Sequence, residues 1–98
     1  MNREHVITTL RQHEPELKAA GILHLRLHGS VARAEAKPSS DIDLIAEFDP
    51  ARQLSLFDMV HLENQLSDLL GVPVDLSPAH MLKRPIAERA AHEAILAF

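Results

Sequence analysis

The sequence contains no cysteine, no tryptophan and no tyrosine, and its only aromatic residues are Phe48, Phe57 and Phe98. Without thiols there is no disulfide, no thiolate nucleophile and no Cys-ligated zinc, an absence that fits a cytoplasmic protein. Three phenylalanines are too few for a base-stacking platform. Basic residues are outnumbered as well: 10 Lys+Arg against 14 Asp+Glu give a formal charge of −4. That balance argues against a broad basic face and so against direct nucleic-acid binding. No apolar run approaches the ~20 residues of a membrane span. The N-terminal stretch Met1-Asn2-Arg3-Glu4-His5 does not lead into a signal-peptide core.

What is present is an ordinary globular composition, 46% hydrophobic and 24% charged over 98 residues. That length supports one domain, residues 1–98, around one core. It leaves little room for a closed pocket, so a substrate is expected in an open cleft or against a partner. Val6, Ile7, Leu10 and Leu17 recur at helical spacing and predict helix over 2–20, interrupted near Pro15 and stopped by Gly21. Residues 22–28 alternate as a strand with Leu23, Leu25 and Leu27 on one face. Residues 41–48 repeat the pattern, with Ile42, Leu44, Ala46 and Phe48 opposed to Asp43, Ile45 and Glu47. A long helix is expected over 54–70, opened by a Ser55/Asp58 capping box. Its apolar stripe is read as Phe57, Leu62, Leu66, Leu69 and Leu70. Residues 72–76 read as a third strand, at an edge because of Pro73. Ser77-Pro78 offers a helix cap and first-turn proline. A final helix is expected from Lys83-Arg84-Pro85 to Phe98, burying Ile86, Ala90, Ala94 and Ile95.

Chemistry concentrates on three carboxylates. A strand has a period of two, so Asp41 and Asp43 project from one face, opposite Ile42 and Leu44. Asp75 likewise opposes Val74 and Leu76. If the three strands are neighbours, the acids gather beside His24, Arg26 and His28. Carboxylates so gathered repel one another unless a cation intervenes, and hard oxygen donors suit Mg²⁺. Gly29-Ser30 follows the first strand directly and precedes a short helical stretch, where backbone N–H groups and a hydroxyl can meet a phosphate. Arg33, one turn on, adds positive charge. Singly these features are commonplace, since Gly-Ser makes turns and Asp-x-Asp caps helices. Together, and facing one way, they have the order wanted for phosphoryl-type transfer.

The stretch from Gly29 to Phe48, GSVARAEAKPSSDIDLIAEF, resembles the signature of the minimal nucleotidyltransferases of the DNA polymerase β-like superfamily, the antitoxin partners of HEPN-domain toxins. Gly-Ser, ten residues and Asp-x-Asp are more specific together than apart, and the resemblance runs through Val72-Pro73-Val74-Asp75. It implies an α/β fold in which a small mixed β-sheet carries helices on one face and an open acidic active-site face. It implies that Gly29 and Ser30 hold the triphosphate of ATP, with Arg33 and Ser40 in support. Asp41, Asp43 and Asp75 would ligate Mg²⁺, two ions in the fullest case, and Asp75 would assist deprotonation of the acceptor. The implied reaction moves AMP from ATP to a tyrosine of the HEPN toxin and silences its ribonuclease activity. One departure is Ala34, where relatives commonly carry glycine.

Other residues carry less. His24 and His28 lack a third close ligand for zinc, and Arg26 with Glu47 reads as a cross-strand pair. Lys83-Arg84 reads as a solvated helix end, and Arg89 and His92 lack the spacing of a HEPN ribonuclease motif. Two alternatives stay open: an antitoxin that neutralises its toxin by binding alone, and a small-molecule nucleotidyltransferase.

Overall fold

The computed structural model describes residues 2–32 and 41–98, apart from the Ser30 side chain. Asn2 caps the first helix, α1 (Arg3–Gln12), by accepting a hydrogen bond from the His5 N–H at 2.8 Å. The chain breaks at His13 and restarts as α2 (Glu14–Ala19), with Pro15 in its first turn, where a missing N–H costs nothing. Val6, Leu10 and Leu17 are fully buried on the expected side.

Strand β1 (Ile22–His28) contains a bulge: its register against β2 (Ile42–Phe48) shifts between Ile22 and His24. The extra residue resets the alternation. Ile22 takes the core position and Leu23 turns outward, 43% exposed, contrary to the face expected for it. A single helical turn, α3 (Gly29–Ala32), follows β1.

Helix α4 (Leu56–Leu70) is opened by the expected capping box. Ser55 and Asp58 satisfy each other's backbone N–H groups, and the Ser55 hydroxyl donates to the Asp58 carboxylate at 2.9 Å. Gly71 ends the helix at φ 73°, a left-handed conformation that glycine adopts without penalty. Leu62, Leu66 and Leu70 are buried, whereas Phe57 is 87% exposed. At about 100° per residue, Phe57 and Leu66 lie half a turn apart, on opposite faces.

Strand β3 runs Val74–Pro78, two residues later than expected. Pro73 stands just before it and its carbonyl accepts the Ile42 N–H at 3.0 Å, so the proline leads the chain into an edge strand without removing a ladder donor. Ser77 and Pro78 end the strand, and Pro78 leads directly into a single 3-10 turn over Ala79–Met81, which it precedes without a side-chain cap. The last helix, α5 (Arg84–Glu93), stops early, and Ile95–Leu96 form strand β4. β4 pairs antiparallel with β1, and the Ala97 N–H donates to Leu25 O at 2.8 Å. The open edge of β1 offers backbone partners that a continued helix would forgo. Ile86 is accordingly 46% exposed, while Ala97 is buried.

The four strands stand in the order β3-β2-β1-β4, with β2/β3 parallel and the other pairs antiparallel. Helices α1, α2 and α4 cover one face of this mixed sheet, packing Val6, Leu10, Leu17, Leu62 and Leu66 on Leu25, Leu27, Ile42 and Leu44. The other face is not uniform. At Ile45, which is buried, alanines of α5 and Leu82 help enclose a cavity of about 220 Å³ beside Arg26. No described helix is long and apolar enough to cross a membrane.

Candidate active site

The sheet register brings three sequence-predicted groups into one row. His28 at the end of β1 pairs with Asp43 of β2, and Asp43 pairs with Asp75 of β3. Directly paired residues project from the same face, so the expectation that Asp43 and Asp75 share a polar face is met. Asp43 is half-buried and Asp75 exposed. Asp41 lies just before β2 and is also exposed. The next pair along the same face is Arg26 and Ile45, and Arg26 donates to the Glu47 carboxylate at 2.6 Å. That pair is half-exposed and contributes roughly 0.2–1 kcal/mol.

Gly29 closes the row from above. Its φ is 79°, and a Cβ built there would collide with Asp43 Oδ2 and lie 3.2 Å from Asp43 Cγ. The residue has no side chain because the Asp43 carboxylate occupies that space. Beside it, His28 Nδ1 is buried with no hydrogen-bond partner among the described residues. No spacing in the sequence marks that nitrogen. The backbone of Ser30 continues α3 behind Gly29, and Arg3 of α1 ties that turn down by donating to Ala32 O at 3.0 Å. Arg33, Ala34 and Ser40 lie outside the described residues, as does the side chain of Ser30.

Among the described residues, no three Asp, Glu or His side chains converge on one point as a metal site would require. The donor set is nonetheless one of chemistry suited to a hard cation: two carboxylates in register on adjacent strands and a third two residues before Asp43. Such oxygens suit a hard divalent cation such as Mg²⁺. His24 is engaged elsewhere, its Nδ1 3.3 Å from Phe98 O, so it does not join the acids.

This geometry has relatives. The nucleotidyltransferase domain family matches residues 10–97. The protein adenylyltransferase MntA of Thermococcus cleftensis is 34% identical over 93 residues, which cover 94% of this chain and 92% of that protein. The solved structure of a candidate minimal nucleotidyltransferase superposes with a TM-score of 0.79 at 35% identity, over 97% of this chain and 95% of the other. A toxin–antitoxin crystal structure with AMP-PNP shares the fold at a TM-score of 0.72 and 19% identity, covering 100% of this chain and 73% of its own. Matched over nearly its whole length in sequence and in fold, the chain belongs to the nucleotidyltransferase domain family, as an enzyme of minimal size.

Proposed function

We propose that this nucleotidyltransferase is an antitoxin that transfers AMP from ATP to a tyrosine hydroxyl of a HEPN-domain toxin and thereby neutralises it. The observation that carries the reading is the pairing of Asp43 with Asp75 in the ladder, with Gly29 packed against Asp43. Two in-register carboxylates on neighbouring strands are the oxygen donors that a metal-assisted nucleotidyl transfer calls for. The name of the Thermococcus relative and the toxin–antitoxin neighbour support the protein acceptor and the partner.

In this reading the backbone N–H groups of Gly29 and Ser30 hold the triphosphate, with Arg33 and Ser40 assisting. Asp41, Asp43 and Asp75 would hold Mg²⁺, in one or two ions. The divalent ion, when bound, supplies neutralisation of phosphate charge as it develops on attack. Asp75, exposed on the edge strand, takes the proton of the acceptor hydroxyl. The acceptor oxygen bonds to the α-phosphorus, the bond from that phosphorus to the bridging oxygen breaks, and pyrophosphate leaves. The open position of Asp75 suits a macromolecular acceptor better than a small enclosed one.

The test is the intact mass of a HEPN partner mixed with this protein, ATP and Mg²⁺, against the Asp41→Asn/Asp43→Asn double variant. A gain of one or more AMP units, absent with the variant, is expected. Tight complex formation with no gain would replace transfer by neutralisation through binding alone.

A further inference from the structure

Strand β3 is an edge strand, and its outer side is not left to solvent. The Val74 N–H donates to the Ser67 hydroxyl at 3.0 Å, and the Leu76 N–H donates to the Glu63 carboxylate at 2.9 Å. The same Ser67 hydroxyl donates to the Glu63 carbonyl at 3.0 Å, within α4. The two residues tied down are those on either side of Asp75. The spacing is commensurate: one turn of helix advances ~5.4 Å and two residues of strand ~6.6 Å. Residues four apart on α4 can therefore reach alternate amides of β3 without distorting either element. Glu63 and Ser67 are both half-buried beneath the strand.

We infer that Glu63 and Ser67 are positioning residues for Asp75: through the amides of Leu76 and Val74 they fix the height of β3 along β2, and so hold Asp75 level with Asp43. This rests on the reading that Asp75 belongs to the transfer site. Among the described residues, no strand flanks the outer side of β3. A slip of one residue would carry Asp75 to the core face, and even a smaller displacement takes a reacting group out of line. A purely structural role, the blocking of an exposed edge, would also use these two bonds, but it makes different demands on the side chains and on the reaction.

The experiment compares Glu63→Ala and Ser67→Ala with Glu63→Gln and Ser67→Thr, which retain an acceptor oxygen, at a temperature where all four are folded by circular dichroism. Turnover is expected to fall by about tenfold to hundredfold in the alanine variants, with the KM for ATP unchanged, and to recover in the conservative ones. In the protein without nucleotide, the ¹³C resonance of the Asp75 carboxyl should move in the alanine variants and return in the conservative ones. Folded alanine variants with wild-type turnover and an unmoved Asp75 resonance would overturn the inference and leave edge protection. So would conservative variants impaired as badly as alanine. Asp75→Asn runs alongside: wild-type turnover in that variant would remove Asp75 from the site, a failure of the functional reading that the Asp75 resonance distinguishes from a failure of the positioning.

Discussion

Gly29 and Asp43 share one space: the carboxylate of the second fills the position where the first would carry a Cβ. Gly29 also holds a φ of 79°, so a side chain there is unwelcome on two independent grounds. Gly29→Ala should cost about 1 kcal/mol or more for the backbone alone. It should lower nucleotidyl transfer by far more than that loss of stability explains, because Asp43 must move. Thermal melting with transfer assayed well below the transition separates the two effects. A variant that melts early but transfers normally when folded would show that Asp43 tolerates displacement.

Asp43 and Asp75 are register partners on β2 and β3, the pair proposed to hold a divalent ion. Added Mg²⁺ should raise the melting temperature of the native protein by preferential binding to the folded state and leave that of Asp75→Asn nearly unmoved. A native melting temperature indifferent to Mg²⁺ would count against carboxylate ligation.

The Ser55 N–H, and secondarily its hydroxyl, hold the Asp58 carboxyl below the ordinary carboxylate range. A group whose folded pKa is depressed contributes stability that is complete above its unfolded pKa and lost as pH falls through the folded value. The first turn of α4 should accordingly loosen on acidification below the ordinary Asp range. Amide exchange at Ser55 and Asp58 reports this directly, and Asp58→Asn should flatten the acid limb of the exchange profile.

Two residues of α4 with similar hydrophobicity should respond oppositely to truncation. Leu66 is fully buried, whereas Phe57 is 87% exposed. Leu66→Ala should cost about 2–5 kcal/mol in urea unfolding, and Phe57→Ser should stay within about 0.5 kcal/mol.

The face that carries the carboxylates was legible from local pattern. The alternation of 41–48 places Asp43 opposite Ile42 and Leu44, as found, and Ser55 with Asp58 is a capping pair in both sequence and structure. Phe57 fails on local geometry, since its angular position on α4 opposes the buried stripe; the other failures come from long-range backbone pairing overriding local propensity. The bulge that turns Leu23 outward exists only because β1 must meet β2. The alanine-rich C-terminal segment has the composition of a helix, yet its last residues take the free edge of β1. The ties from Glu63 and Ser67 to β3 leave no trace in spacing, since they depend on how a helix and a strand stack.

The chain order of the paired residues also sets when the site comes into being. His28 and Asp43 are joined by the antiparallel pairing of β1 with β2, which closes the shorter loop. Asp75 is joined to Asp43 by the parallel pairing of β2 with β3, across the longer crossover that contains α4. Loop closure costs more entropy over the longer separation, and parallel crossovers form slowly. A newly made or partly opened molecule thus holds one acid of the pair and lacks the other. If the two acids form the transfer site, activity in this small enzyme reports that the β2/β3 crossover has closed, because that pairing brings the second carboxylate level with the first.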